Sequence, residues 1–496
     1  MRSGRCPGEG AGTAEVRVDA GSVVGRLHRP WRPMIGSEHL THLLSTDRTG
    51  GRPIGPELAD ALRMVRDELG VQTVRAHGIL CDDLGVYREV DGRPRHDFSG
   101  VDRVYDAVLD LGLRPVVELS FMPRELAADP DRTVFAYRGI ISPPKDWNRW
   151  SGLVEALTAH LVDRYGAEEV SRRWSVEVWN EANLEVFWSG TPAEYLRLCD
   201  LSARAVKAVD PGIRVGGPAT AAVGWPDRFL SHVDGSGTPV DFLSTHTYGS
   251  PPLDLRPVLD RHGRARLPLW WTEWGAGARH GRTVNETPLA AAFLARGMRS
   301  AAGRVEALSY WVASDHFEEL GRPRAWLHGG FGLLTVGNLR KPGYWALALL
   351  GRLGEDELAV RLAGDGADSL VEAWAGRDAR GRVAVAVWNG TLDQSKADGE
   401  PLLDRRVLLG VEGLTGTRYE LRHWRVDAEH SAVAAAWRRL AGGRDWPDEA
   451  GWQALRAADR LDSLHEPRQV EVASGRFELE VDLPMPSVSL VELDPS

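Results

Sequence analysis

Trp174-Ser175-Val176-Glu177-Val178, the amphipathic run Pro192–Val209, and then Ile213-Arg214-Val215-Gly216-Gly217 form the stretch on which the fold turns. A short apolar run, a longer helix-like run and a second short apolar run make one strand–helix–strand unit. Pro192 stands where a first helical turn tolerates proline, because the N–H it lacks has no intrahelical acceptor there. Working outward, the same alternation runs from about residue 31 to 345. Strands are predicted at Met34–Gly36, Thr73–His77, Val116–Ser120, Trp174–Val178, Ile213–Gly217, Phe242–His246, Leu267–Thr272 and Ala307–Trp311. Helices are predicted at Pro56–Leu69, Val101–Leu111, Trp150–Tyr165, Pro192–Val209 and Pro288–Ala302. Eight such units predict an α/β fold, a (β/α)8 TIM barrel spanning 31–345. An open doubly wound sheet would carry a glycine-rich turn after its first strand, and none is present.

Beyond about residue 346 the pattern changes. Val383-Ala384-Val385-Ala386-Val387-Trp388 reads as a strand ending at the turn Asn389-Gly390. Thr417–Val426, Phe477–Val481 and Ser487–Leu493 read as further strands, and 431–461 as a surface-lying helical insertion. Residues 346–496 are therefore expected to form a β-sandwich accessory domain packed tightly on the barrel. The alternating Glu15–Asp19 suggests that 1–30 adds a strand to it.

The chain has 496 residues, of which 43% are hydrophobic, enough for a large core and more than one domain. Its net charge of −10 argues against a nucleic-acid partner, whose phosphates demand basic clusters. No apolar run follows the charged start, and none is long enough to span a membrane. The 3 cysteines, Cys6, Cys81 and Cys199, are too few and too scattered for a disulfide framework, and no two have metal-ligand spacing. These features predict a reduced, cytoplasmic protein without membrane contact. A homo-oligomer is left open. The 19 Trp are shared between core packing and flat surfaces on which sugar rings stack.

Parallel barrels place their active sites at the C-terminal ends of the strands. Polar residues there are His77, the Ser120-Phe121 pair, Asn180-Glu181, His246 with Tyr248, Glu273, and Trp311 followed by Asp315, Glu318 and Glu319. Carboxylates are the strong acid–base groups of this set, and aromatics surround them. Glycosidic cleavage needs one carboxylic acid to protonate the leaving oxygen and one carboxylate facing the anomeric carbon. Glu181 follows the apolar run Val176–Trp179 at the catalytic rim, and Asn180 beside it can hydrogen-bond a sugar 2-OH. Glu273 sits in Trp270-Trp271-Thr272-Glu273-Trp274, either as a nucleophile held rigidly on a strand end or as a barrel-lining carboxylate tied to an Arg. The joint placement on strands four and seven favours Glu181 as acid/base and Glu273 as nucleophile. A Schiff-base aldolase would need a strand-end lysine, and Lys145, Lys207, Lys341 and Lys396 are not so placed. Gly275-Ala276-Gly277 lacks the third glycine of a dinucleotide fingerprint, where His280 stands. No cofactor and no metal ion are expected. A non-catalytic carbohydrate-binding barrel is the rival from another class, and it would be expected to have lost a catalytic carboxylate.

The chain resembles glycoside hydrolase family 39, the β-xylosidase and α-L-iduronidase family. The resemblance rests on Arg75-Ala76-His77-Gly78 with Asp82-Asp83, Glu118-Leu119-Ser120-Phe121-Met122-Pro123, Trp179-Asn180-Glu181 and His246-Thr247-Tyr248-Gly249. It continues through Trp271-Thr272-Glu273-Trp274, Ser314-Asp315-His316-Phe317-Glu318-Glu319 and, in the tail, Arg425-Val426-Asp427-Ala428-Glu429-His430-Ser431. It implies that His77 and His246 hydrogen-bond the sugar or orient the catalytic pair. It implies that Tyr248 contacts the nucleophile, that Phe121 and Trp311 shape the sugar site, and that Glu318 or Glu319 binds a sugar hydroxyl. The competing readings are neutral core histidines, a core phenylalanine and solvated loop charges. Ala182 departs from the proline common in the wider clan, which puts the loop after Glu181 in question.

The expected activity is a retaining, exo-acting β-D-xylosidase on short xylo-oligosaccharides, with a carbohydrate as its partner. An α-L-arabinosidase or an α-L-iduronidase is the alternative within the family. The family's iduronidases carry a Lys two positions after the strand-six His, where this chain has Tyr248. A sugar carboxylate in a partly desolvated pocket needs a cation. Arg279, Arg322 or Arg324 would have to supply it.

Overall fold

The computed structural model describes residues 12–496. Residues 1–11, with Cys6 and the start of the N-terminal segment expected to join the sandwich, lie outside the described residues. Eight parallel strands close into a barrel: β1 (Met34–His39), β2 (Thr73–His77), β3 (Arg114–Glu118), β4 (Ser175–Glu177), β5 (Arg214–Thr220), β6 (Phe242–Tyr248), β7 (Leu269–Gly275) and β8 (Ala307–Tyr310). A helix follows each strand, namely Ile54–Leu69, Ser99–Asp110, Trp147–Tyr165, Pro192–Val209, Pro226–Ser236, Arg256–Arg261, Pro288–Ala301 and Pro342–Gly351. Local sequence fixes their ends. Thr191 and Glu194 form a reciprocal capping box that satisfies otherwise orphan N–H groups at the start of Pro192–Val209. Gly70 ends Ile54–Leu69 at φ 75°, a left-handed conformation open to glycine without a Cβ penalty.

Met34, Val116, Phe242, Trp270 and Ala307 plug the barrel interior, with Phe242 and Trp270 stacked 3.9 Å apart between ring centres. The polar residues at the C-terminal mouth therefore sit on a dry floor. β7 runs to Gly275, past the predicted end at Thr272. Its pairing with β6 jumps from Thr245↔Trp271 to His246↔Glu273, so Thr272 is an extra, bulged residue. Without the bulge, strict alternation would turn Glu273 out of the barrel.

The tail and the N-terminal strand form one ten-stranded, curled, mostly antiparallel sheet. Gly12–Arg26 pairs antiparallel with Asp356–Gly364 and parallel with Arg405–Glu412. Within Val383–Asn389 the alternation has two meanings. Val383, Val385 and Val387 pack with Val16, Val18 and Val407 in the sheet's own core, whereas Ala384, Ala386 and Trp388 join the barrel core. The sandwich is thus a single sheet curled over itself, with its central strands buried on both faces.

The helix Pro288–Ala301 lies between barrel and sheet and is buried nearly all round, which accounts for its run of small residues. A Cβ on Gly390 would press on Ala292, and Arg296 Nε donates to Glu372 Oε2 at 3.0 Å across the junction. The stretch 431–461 holds two helices, Val433–Leu440 and Glu449–Ala458, whose Trp437 and Trp452 pack edge-on against Trp326 of the barrel. Among the described residues no helix is long and apolar enough to cross a membrane.

Candidate active site

Buried charged residues within β2 and at the ends of β3 and β4 must find partners, because an isolated charge inside a barrel is prohibitively costly. They find each other. Arg75 of β2 is fully buried, and its Nε donates to Glu177 Oε2 at 2.8 Å. Its Nη2 donates to Asn180 Oδ1 at 2.9 Å and forms an ion pair with Glu118 Oε2 at 2.6 Å, and Nη1 donates to Glu273 Oε1 at 2.6 Å. One guanidinium thus ties together the ends of β2, β3, β4 and β7. Burial opposes ionisation of Glu118, but Arg75 and His77 outweigh it and hold that carboxyl below its ordinary range.

Trp179 and Glu181 have left-handed backbones, at φ 68° and 43°. This breaks the strand's alternation after β4. Trp179 turns into the core against Trp150 and Trp188, while Asn180 and Glu181 both reach the barrel mouth. Glu181 N donates to Ala219 O at 2.8 Å and fixes the turn. The question raised by Ala182 has a local answer. Asn183 accepts from Ala221 N and donates to Ala221 O, each at 2.9 Å, clamping the loop after Glu181.

An oxygen of Glu181, a nitrogen of His246 and an oxygen of Glu273 all lie within 4.8 Å of one another. His246 Nδ1 is 2.9 Å from Glu181 Oε1, and its Nε2 is 3.0 Å from the Thr272 hydroxyl. Burial pushes the His246 ring down to about 4, so it is neutral at neutral pH. Burial also pushes Glu181 up to about 7, against the pull of Arg75 and His77. Tyr248 donates to Glu273 Oε2 at 2.6 Å, and its phenol is held well above the usual range by burial and by Glu273. The two carboxyl groups therefore differ in kind. Glu273 has a cation and a phenol donating to it, and Glu181 has a neutral ring.

His77 Nδ1 is 3.0 Å from the Glu118 carboxylate, which places its proton there and leaves Nε2 3.7 Å from both Glu273 Oε1 and Glu319 Oε1. Trp311 lies 4.8 Å from the His77 ring, and the Arg75 guanidinium stands 5.6 Å over its indole. Burial, and then the charges of Glu38, Glu273 and Glu181, push Glu319 well above the carboxylate range. Two backbone bonds hold its loop, from Glu318 N to Glu38 Oε2 at 3.1 Å and from Ala136 N to Glu319 O at 2.8 Å.

Asn180, Glu181, Glu273, His77, His246, Tyr248, Trp311 and Glu319 thus converge. Glu318 does not; it pairs with Arg322 at 2.9 Å and faces His42 at 3.6 Å. Phe121 is fully buried behind His77, edge-on to Trp179, in a core position. Of the Trp residues flanking Glu273, Trp270 belongs to the barrel floor and Trp274 stacks on Phe293 of the surrounding helix, so neither faces the site. The sequence reading passed over Arg75, Glu118 and Glu177 as site residues. Their signal was a single charge inside each apolar strand run.

Glu181, His246 and Glu273 are spaced like metal ligands, but Arg75 already supplies a cation to Glu273 at 2.6 Å, and a metal ion would face its repulsion. A plugged barrel whose mouth gathers a close pair of carboxyl groups in unlike environments is the architecture of a glycoside hydrolase. The chain matches the sequence model of glycosyl hydrolases family 39 over residues 14–259 and 254–470, and it belongs to that family. It is 34% identical to a β-xylosidase from Geobacillus stearothermophilus, over 95% of this chain and 93% of the relative. Among solved structures it is similar to a monomeric β-xylosidase from Caulobacter crescentus CB15, with TM-score 0.82, 33% identity, and coverage of 97% of this chain and 99% of that one. A family 39 enzyme from Xanthomonas axonopodis pv. citri superposes with TM-score 0.84 at 28% identity, over 97% of both chains.

Proposed function

We propose that this glycosidase is a retaining, exo-acting β-D-xylosidase on short xylo-oligosaccharides, with Glu273 as nucleophile and Glu181 as acid/base. The observation that carries the mechanism is the separation within 4.8 Å of oxygens on two unlike carboxyl groups. Retaining enzymes hold the pair about 5–5.5 Å apart, whereas inverting ones need roughly 6.5–9.5 Å to admit a water. Glu273 attacks the anomeric carbon as the bond to the leaving oxygen breaks, and Glu181 gives that oxygen its proton. Glu181, now a carboxylate, takes a proton from water, which displaces Glu273 from the glycosyl-enzyme and returns the sugar with its original configuration. Arg75 turns the carbonyl of Asn180 to itself, leaving the amide NH2 for the sugar 2-OH. His77 and His246 orient the carboxyl pair, and Trp311 and Glu319 receive the sugar.

Two arguments support a neutral pentoside. The relatives from Geobacillus and Caulobacter are β-xylosidases. Tyr248 brings no cation to the site, Arg75 is bound to carboxylates and Arg322 pairs with Asp47 and Glu318, so neither arginine is free to neutralise a sugar carboxylate. Free, buried Cys81 and Cys199 accord with a reducing compartment, where imported oligosaccharides would be trimmed.

The test is kcat/KM for aryl β-xyloside, α-L-arabinosides, β-glucoside and α-L-iduronide side by side, with early-time NMR of the released anomer. The xyloside should lead and the β-anomer should appear first. A leading iduronide would refute the electrostatic argument, a leading glucoside the pentose, and an inverted product the carboxyl assignment.

A further inference from the structure

On the outer side of His77 lies a second convergence of donor atoms that the glycosidase reaction does not use. A nitrogen of His39, the Sγ of Cys81 and a carboxylate oxygen of Asp83 lie within 4.8 Å of one another. His39 ends β1 and is the register partner of His77 on β2; Cys81 and Asp83 come from the loop that follows β2. His39 Nε2 is 3.7 Å from Asp83 Oδ2. A tetrahedral ion with bonds of about 2.0–2.3 Å needs ligand atoms roughly 3.3–3.8 Å apart. The set closes on an ion with movements below about 1 Å.

Two further features belong to a built site. The first is the gap at Gly78, whose φ is 80°. A Cβ there would stand 2.7 Å from His39 Nε2 and 3.2 Å from Cys81 Sγ, so glycine leaves open the space those two atoms face. The second is the support behind His39. Its Nδ1 is 2.9 Å from the Thr41 hydroxyl, which also hydrogen-bonds Asp83. The Thr41 hydroxyl can accept from Nδ1–H, the arrangement of a metal-ligating histidine whose other nitrogen donates to an outer partner, and Nε2 would then exchange the ring's bond to the Gly78 backbone for the ion. The ring face is fixed by stacking on Tyr137 at 4.5 Å.

We propose that His39 Nε2, Cys81 Sγ and Asp83 bind a divalent cation of the zinc class, with water in the fourth position. A thiolate, an imidazole and a carboxylate select a borderline-soft ion over magnesium or calcium, which prefer oxygen. Cys81 and His39 are nearly buried and Asp83 is half exposed, so the ion enters from the Asp83 side. Binding exchanges one proton for the metal. The Cys81 S–H bond breaks, the S–metal bond forms and the proton goes to buffer. An ordinary thiol carries its proton at neutral pH, and an imidazole ligates through a nitrogen that holds none, so the thiol is the source of the released proton. An ion here ties the end of β1 to the loop after β2, beside the sugar pocket.

The test is calorimetric titration of the chelator-treated full chain with zinc chloride, in two buffers of different ionisation enthalpy. One zinc per chain and about one released proton are expected. C81S should weaken binding by on the order of 100-fold or more, and D83N by at least about tenfold. Magnesium should not compete. C81S and D83N lie outside the reaction and should keep glycosidase activity, which shows that they fold. Zinc binding that persists unweakened in both variants, release of no proton, or no binding by the native chain would overturn the proposal.

Discussion

Arg75 Nη1 donates to Glu273 Oε1 at 2.6 Å, and the same guanidinium also meets Glu177 and Glu118. One buried cation thus faces three carboxylates on three strands. Its planar fork can satisfy several acceptors at fixed angles, which a lysine ammonium cannot. The position of Glu273 and the closure of the barrel mouth therefore depend on one residue.

Arg75→Met should destabilise the protein by about 3–5 kcal/mol, because it leaves buried carboxylates without a counter-charge. Urea unfolding measures this. Arg75→Lys should recover part of the stability and little of the turnover, since it restores charge without the fork. Equal recovery of both would show that charge alone, and not geometry, is what Arg75 supplies.

As the proposed acid/base, Glu181 sets the expected pH dependence. A general acid must hold its proton, and Glu181 is raised to about 7 by burial. kcat/KM should fall as pH rises through about 7, and Glu181→Gln should abolish that alkaline limb while sparing activated aryl glycosides. Stability follows the same group. A folded value above the unfolded one contributes stability that is complete below the unfolded value and lost as pH rises through the folded one. Glu181→Gln, which has no charge to bury, should therefore exceed the native chain in stability at pH 8, by up to on the order of 3 kcal/mol, with the difference vanishing towards pH 4. Denaturant melts at the two pH values decide it, and a gain that grew towards low pH would contradict the raised value.

Glu318 and Glu319 are neighbours in sequence with opposite prospects. The burial and charges described above push Glu319 well above the carboxylate range and so favour its protonated form. Glu319→Gln should therefore be tolerated within a few-fold, whereas Glu319→Ala should lose about 10–100-fold in kcat/KM, the worth of one strong hydrogen bond. Glu318→Ala removes only a partly exposed pairing with Arg322 and should change little. A collapse of Glu319→Gln would mean that Glu319 acts as a carboxylate.

The placement of Glu181 and Glu273 together at the barrel mouth was legible because each follows an apolar run at a strand end. The eight strands were legible because alternating short and long runs repeat. What escaped were features set by contacts across the fold. The bulge at Thr272 arises from pairing with β6 and leaves no mark in the Trp-rich run, where nothing shows that Trp274 packs outward. Arg75, Glu118 and Glu177 each look anomalous alone, and only their meeting explains them. His39 and Cys81 are far apart in sequence, and the closed barrel brings them together. The strands Asp356–Gly364, Val371–Arg377 and Arg405–Glu412 were passed over, their strand character resting on pairing partners elsewhere in the curled sheet.

Gly297 links the surrounding helix to the strand that carries Glu273. It lies inside Pro288–Ala301, where alanine would ordinarily gain about 0.5–1 kcal/mol over glycine. A Cβ at 297, however, would overlap the Trp274 indole, which is held by stacking on Phe293 at 4.7 Å and by donation from Nε1 to Ser250 O at 2.9 Å. Overpacking of this kind costs about 1–3 kcal/mol and should outweigh the helical gain. Trp274 follows Glu273 directly on the bulged strand, so its displacement moves Glu273, the proposed nucleophile. A shift of about 1 Å costs up to roughly 100-fold in turnover. Gly297→Ala should thus lower both stability and kcat. Gly152→Ala is the matched control, since it sits inside Trp147–Tyr165 and its Cβ would meet nothing within 4 Å. It should gain stability and leave kcat unchanged. Thermal melts and kcat on an aryl glycoside for the two variants test the argument, and it fails if Gly297→Ala behaves like Gly152→Ala.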